Sequence, residues 1–213
     1  MQPFFELNGI RLASKDRRRN ACHEAGHALA TILLRRRFEY VTIESHHLAP
    51  DGHCKMGPAR PIRMFRELAS GTFVRNVTGE NVVRSREIRI SLAGLAGELV
   101  GCGEFYARGT EDPDIAEAVK HAQELTRKLR RLPRPKGRFK ESPFSDLDVP
   151  PKVNRCLVKL FEDIYFTLMV NNSSLHALVE ALLHRGRLSY EEAREVIESR
   201  HSFLLPRDSN QRI

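Results

Sequence analysis

The hydrophobic pattern at the start of the chain predicts a helix followed by a strand. Between about residues 16 and 37, alanine and leucine recur at helical spacing without an intervening proline, and Ser14 or Asp16 is a suitable N-cap. A short run of β-prone residues follows at 40–44, before the turn sequence at 50–52. This arrangement favours a strand that enters a hairpin.

A second helical pattern covers about residues 82–100. It follows a stretch at 58–80 whose glycines and asparagine leave its structure ambiguous. Gly94, Gly97 and Gly101 give one face of this second helix an unusually small surface. We therefore expect a neighbouring helix to pack closely against that face, because backbones can approach where side chains are absent.

The second half of the chain is predicted to be mainly helical. Asp112 is a good N-cap and Pro113 suits the first helical position, so a helix begins here and runs to about residue 132. The proline-rich segment 132–151 lacks periodicity and is predicted to be an exposed, flexible loop. Ser189 and Glu192 form a capping box before the last helix. Two or three helices are predicted after the loop, at about 153–170, 173–184 and 190–199.

Length and composition place these elements in one domain. The 213 residues are 41% hydrophobic and 29% charged, which is typical of a globular protein with its own core. We expect an α+β fold, mostly α-helical, in which residues 1–205 form a single domain and 206–213 a C-terminal tail. The net charge of +8 favours acidic partners, but the basic residues have no interleaved aromatic residues of the kind that stack on nucleic-acid bases.

The cysteines and the N-terminal segment indicate in which cellular compartment the protein is expected. The four cysteines are far apart and form no CxxC pair, so neither a thiolate zinc site nor a disulfide scaffold is predicted. The chain shows no secretory signal pattern, and no apolar stretch reaches the roughly 18–20 residues of a membrane-spanning helix. We therefore expect a cytoplasmic protein with reduced thiols and no integral membrane segment.

The segment His23-Glu24-Ala25-Gly26-His27 carries the most informative chemistry. Histidines four residues apart lie on the same face of a helix, so both imidazoles can reach one zinc ion at about 2.0–2.1 Å. Glu24 is offset around the helix and can take a proton from water that the metal activates. The HExxH pattern therefore predicts a zinc peptidase site with His23 and His27 as ligands and Glu24 as general base. The alternative is a helix with two surface histidines.

A catalytic zinc usually has three protein ligands and one open position. No further histidine follows soon after the motif, so the third ligand is expected from a distant part of the chain. The candidate third ligands are Asp114, Glu98, His46, His47, His53 and His121.

Five segments of the chain resemble segments of one known protein family and occur in the same order as they do there. They are a zinc-motif helix at 23–30, a strand at 41–43, a glycine-rich helix with a glutamate at 92–99, a helix start with an aspartate at 109–118, and closing helices at 175–197. Together these segments resemble the peptidase domain of the FtsH-type ATP-dependent zinc metalloproteases. The resemblance covers most of the chain.

The resemblance implies that Asp114 is the third zinc ligand and that Glu98 lies near the site, where a carboxylate can orient a ligating histidine. Asp112 is the fallback ligand, although its position suits a helix cap better. The chain contains no GxxxxGK[ST] phosphate loop, so the ATPase module and the membrane anchor of the family are not expected in it. The family also implies a homo-oligomer, a hexamer, and leaves room for a separate ATPase partner.

The sequence therefore predicts a zinc metalloendopeptidase that hydrolyses peptides or flexible protein segments, with Zn²⁺ as cofactor and without ATP. The stretch 41–44 is expected to pair with extended substrate, and nucleic acid is not an expected partner. Two alternatives stay open. One is a non-catalytic zinc-binding regulatory or interaction module with a peptidase fold, and the other is a basic nucleic-acid-binding protein.

Overall fold

The computed structural model describes residues 3–44, 53–57, 79–103, 109–129 and 143–200. The described residues form helices and three short strands, which confirms the predicted α+β class with mostly α-helical content. In chain order the elements are α1 Pro3–Leu33, β1 Phe38–Thr42, β2 His53–Met56, α2 Gly79–Cys102, α3 Pro113–Lys128, α4 Pro151–Val170, α5 Asn172–Arg185, β3 Arg187–Ser189 and α6 Tyr190–Arg200.

Most predicted helices are confirmed, but the start of α1 is not. The helix begins at Pro3, so Ser14 and Asp16 lie inside it and the predicted N-cap is wrong. The reason is that no proline interrupts the following residues, and continued backbone hydrogen bonding prevails over a local capping signal. The helix ends at Leu33 rather than near residue 37, and Arg35 just beyond it has a φ of 54°. None of the helices in the described ranges is long and apolar enough to cross a bilayer.

The three strands form one antiparallel sheet with β1 in the centre. The predicted hairpin is confirmed, because Val41 pairs with Cys54 of β2. On its other side Val41 pairs with Leu188 of β3, a strand of three residues that is too short to predict from periodicity. Both edges of β1 are therefore occupied, so the expectation that the stretch 41–44 pairs with substrate is wrong.

The described part of the predicted loop places two of its side chains in the core. Residues 143–150 contain Phe144 and Leu147, which are only 2% and 9% exposed. Phe144 contacts Phe161 of α4 edge to face, with ring centroids 5.5 Å apart. The prediction of an exposed loop is wrong for Phe144 and Leu147, because isolated aromatic and aliphatic anchors show no periodicity. It is confirmed for Ser145, Asp146 and Asp148, which are exposed. The ambiguous segment 58–78, most of the loop and the tail 206–213 lie outside the described residues.

Candidate metal centre

Helices α1 and α2 cross with their backbones in contact at the level of the HExxH segment. A methyl group at Gly26 would lie 3.0 Å from Cα of Gly97 and closer still to the carbonyl oxygen of Ala93. The expectation of close packing on the glycine face of α2 is thus confirmed. The contact brings polar groups of α2 against both histidines of α1.

Three side-chain atoms from α1 and α3 converge at this crossing. Nε2 of His23 lies 3.0 Å from Nε2 of His27 and 3.0 Å from Oδ2 of Asp114. Nε2 of His27 lies 2.9 Å from the same carboxylate oxygen. Among the described residues, these three form the group of histidine, cysteine and acidic side chains whose donor atoms are close enough to share a metal ion.

The N-terminus of α3 positions Asp114. The side chain of Asp112 accepts hydrogen bonds from the backbone N–H groups of Asp114 and Ile115, at 2.9 and 3.3 Å. Pro113 occupies the first helical turn, and Ile115 is buried. This confirms Asp112 as the helix cap, and it holds Asp114 in the first turn facing α1.

Helix α2 sets the tautomers of both histidines. Nδ1 of His27 lies 2.8 Å from the carbonyl oxygen of Ile90, and a carbonyl can only accept, so this nitrogen is the protonated one. Nδ1 of His23 lies 2.6 Å from Oε1 of Glu98, which is 1% exposed. A carboxylate also accepts, so each imidazole, in its neutral form, turns an Nε2 lone pair towards Asp114. A carboxylate that orients a ligating histidine must hydrogen-bond to the ring nitrogen that does not bind the metal, and Glu98 makes this contact with Nδ1 of His23. The orienting role itself stays a prediction.

The cluster needs a positive charge at its centre. Two nitrogen lone pairs and a carboxylate oxygen within about 3 Å of each other repel unless a cation or a proton lies between them. Burial alone lowers the pKa of His23, but hydrogen bonds to Asp114 and Glu98 outweigh it and raise the pKa to about 10. The pKa of His27 is raised in the same way, burial notwithstanding, by Asp114. Burial raises the pKa of Asp114, yet the histidines hold it well below its usual range.

Gly94 leaves the space in which the two imidazoles meet. A methyl group there would lie 2.5 Å from Nε2 of His27 and as close to the ring of His23. Gly94 also lies one helical turn after Ile90 and has no side chain to cover the carbonyl oxygen that His27 binds. Sequence reasoning recognised the small face of α2 but missed these two functions. The sequence signal that could have revealed both functions is a glycine, Gly94, on the face of α2 that packs against the HExxH helix.

Glu24 lies beside the cluster and is 5% exposed. Its negative charge contributes to the raised pKa of both His23 and His27, after the larger effects of burial and of Asp114. Of the three converging side chains, that of Asp114 is the most exposed. The side chain of Asp114 is 31% exposed, whereas those of His23 and His27 are 12% and 8% exposed. A small molecule or an extended chain can therefore approach past Asp114.

The remaining candidate ligands do not join the cluster where they are described. His121 lies 2.8 Å from Glu117 on its own helix. His53 is on β2, where its Nε2 lies 2.9 Å from the hydroxyl of Tyr40. His46 and His47 lie outside the described residues.

Comparison with known proteins adds no assignment. Neither a scan against protein-family models nor a search of the curated proteins found a match to this chain.

Proposed function

We propose that the protein is a zinc-dependent peptidase in which His23, His27 and Asp114 hold the metal and Glu24 is the general base. The observation that carries the proposal is the convergence of two Nε2 lone pairs and one carboxylate oxygen, with both Nδ1 atoms already hydrogen-bonded. This is the arrangement of ligands and supporting contacts that zinc sites use.

The donor set fits zinc better than other common ions. Imidazole nitrogen with one carboxylate oxygen suits a borderline metal such as zinc, whereas magnesium and calcium prefer all-oxygen sites. Donor separations of 2.9–3.0 Å are compatible with bonds of about 2.0–2.1 Å to one shared ion. Three protein ligands leave a fourth position, which is a property of catalytic rather than structural zinc sites.

The residues around the ion have separate tasks in peptide hydrolysis. Zinc bound there would supply the Lewis acidity that brings the pKa of water near 7 and polarises a carbonyl group. Glu24 follows His23 in α1 and is buried beside the cluster, so its carboxylate can take a proton from water and pass it to the leaving amine. Glu98 holds the ring of His23 and thereby its ligating nitrogen. A structural site would not need the acid at position 24.

The edge of the sheet suggests how substrate binds. Among the described strands, β2 has a partner on one side only, so its outer edge offers backbone groups to an extended peptide. Burial, and after it the negative charges of Glu24 and Asp114, raises the pKa of the Cys54 thiol on β2, so this strand lies within electrostatic range of the candidate metal centre. We therefore propose extended peptides and flexible protein segments as substrates.

The test combines metal analysis with peptide cleavage. The purified protein should contain one zinc per chain and cleave an unstructured polypeptide. Glu24→Gln should keep the zinc and lose about 10²–10⁴-fold or more in turnover. Glu180→Gln is the matched control, because the Glu180 side chain is 63% exposed and pairs with Arg18 at the surface. Absence of zinc, or cleavage at the parent rate by Glu24→Gln, would refute the proposal.

A second assay addresses substrate and energy. A folded protein with a disordered tail is incubated with the enzyme, with and without ATP and magnesium. Peptide bonds within a folded domain are protected because local opening costs several kcal/mol, and the 213 residues contain no GxxxxGK[ST] loop. We expect loss of the tail alone, unchanged by ATP. ATP-stimulated degradation of the folded part would contradict this.

A further inference from the structure

The thiols of Cys22 and Cys102 meet at the same helix crossing, directly beside His23. Sγ of Cys102 lies 2.9 Å from Sγ of Cys22, and both cysteines are free. A disulfide bond has a length of about 2.05 Å. The two sulfur atoms therefore need to move closer by only about 0.9 Å to form one.

The backbone geometry favours such a bond. A methyl group at Gly101 would lie 2.7 Å from Sγ and 3.2 Å from Cβ of Cys22, and one at Gly97 would collide with the carbonyl oxygen of Cys22. Cys22 thus lies in a notch of α2 between two glycines, and Cys102 is the next residue along that helix. Because a disulfide requires closely approaching backbones, little helix movement is needed here.

We propose that Cys22 and Cys102 are a modification site at which a small-molecule disulfide converts two thiols into a bond between α1 and α2. Cys22 is fully buried, whereas Cys102 is half-buried and can be reached from solvent. The thiolate of Cys102 attacks the reagent, forms a mixed disulfide and releases one thiol. Cys22 then loses its proton, attacks the sulfur of Cys102 and releases the second thiol. The protein loses two hydrogens, and the reagent disulfide is reduced to two thiols.

The bond fastens the crossing that carries the metal site. It closes a loop from residue 22 to residue 102, which restricts the unfolded chain and stabilises the folded one. Because the sulfur atoms shift so little, the neighbouring contact between His23 and Glu98 is retained. The oxidised protein is therefore expected to be more stable while the metal-site geometry stays intact. The bond itself does not depend on the proposed peptidase activity.

The experiment treats the full-length protein, as purified, with oxidised glutathione. Intact mass, peptide mapping without reductant and thermal unfolding are measured before and after, and again after dithiothreitol. We expect a loss of two mass units, a linked peptide pair containing Cys22 and Cys102, and a rise in Tm of about 5–10 °C that dithiothreitol reverses. Cys156→Ser is the matched control, because Cys156 is a buried thiol of α4.

The variants separate the proposed bond from unrelated oxidation. Cys156→Ser should behave as the parent does, whereas Cys102→Ser, or Cys102→Ala if the serine variant is unstable, should give neither the linked peptides nor the rise in Tm. Three results would overturn the proposal. Glutathione could remain attached to Cys102 as the final product, the linked pair could involve Cys54 or Cys156 instead, or the Tm could fall when Cys22 and Cys102 are joined.

Discussion

The α1–α2 crossing and the outer helices α4 and α5 are built in opposite ways. At the crossing, glycines bring the backbones into contact and many buried residues are alanine, although Leu29, Leu92 and Leu95 of the same two helices are also buried. Helix α4 packs on α2 and α5 packs on α1, and these outer helices supply large apolar side chains. The largest fully buried side chains of α4 are Leu157, Leu160, Phe161, Ile164 and Leu168.

Because of this difference, the crossing determines the geometry of the candidate site, whereas the outer helices contribute more to the stability of the fold. Hydrophobic stabilisation grows with buried apolar area, at about 25 cal/mol per Å², so alanine and glycine at the crossing contribute little of it. The crossing also buries His27, Glu24 and Glu98, which cost free energy to remove from water. The large apolar side chains of α4 and α5 therefore contribute more hydrophobic stabilisation than the alanines and glycines of the crossing. Substitutions in the two regions should affect different measurements.

The largest expected effect on stability is in the outer helices. Phe161→Ala should lower the free energy of unfolding by about 3–5 kcal/mol, because it removes a ring that is fully buried against Phe144. Zinc affinity of the folded protein should change little. Chemical denaturation and zinc titration measure the two quantities, and Phe161→Leu is the milder control. A large loss of zinc affinity in folded Phe161→Ala would show that the two regions are coupled.

The largest expected effect on metal binding is at the crossing. Gly94→Ala should lower zinc affinity by more than about 100-fold, because its methyl group would displace both ligating rings. Gly97→Ala is the matched control, since its methyl group would meet the backbones of Cys22 and Gly26 and not the imidazoles. Competition with a chromophoric chelator gives both affinities. Equal losses in the two variants would mean that helix spacing alone is responsible.

Glu98→Gln should have a smaller effect on the metal. Loss of the carboxylate behind a ligating histidine typically lowers metal affinity by about 10–100-fold. Glu98 lies 2.6 Å from Nδ1 of His23, and glutamine keeps its shape without its charge. Glu162→Gln, a second buried glutamate that lies on α4, serves as the control and should leave zinc affinity unchanged. Unaltered affinity in Glu98→Gln would remove Glu98 from the site.

The crossing should also respond to pH. In the metal-free folded state the pKa of His23 is raised from 6.5 to about 10. Above pH 6.5 the folded protein therefore keeps a proton on His23 that the unfolded chain releases. Its stabilising contribution is complete below pH 6.5 and is lost as the pH rises towards 10. Zinc must displace this proton, so zinc affinity should rise about tenfold per pH unit across the same range. Calorimetry in buffers of different ionisation enthalpy counts the protons, and a count of zero would contradict the proton-bound cluster.

The smallest expected effect is at the capping box before α6. The Ser189 hydroxyl accepts from the backbone N–H of Glu192, and the Glu192 carboxylate accepts from the backbone N–H of Ser189. Ser189→Ala should lower the free energy of unfolding by about 1 kcal/mol without affecting zinc. Ser189→Thr keeps a hydroxyl and should restore most of this loss. A change in zinc affinity would place α6 in contact with the site.

Much of the local structure was predictable because it depends on neighbours in the sequence. The i, i+4 spacing of His23 and His27 defines a common helix face, and the capping residues Asp112 and Ser189 mark helix starts that the structure confirms. The boundaries of α4, α5 and α6 follow from periodicity to within two residues. Each of these features is encoded within about one or two turns of backbone.

The tertiary structure decided what no local pattern encodes. The sequence by itself determined that two imidazoles share a helix face, and resemblance pointed to Asp114, but only folding brings its carboxylate within 3.0 Å of nitrogens some 90 positions earlier. The carbonyl of Ile90, the space at Gly94, the thiol pair Cys22–Cys102 and the central position of β1 depend in the same way on distant segments. Periodicity predicts which residues share a face, whereas the partner of that face is chosen by the packing of the whole core.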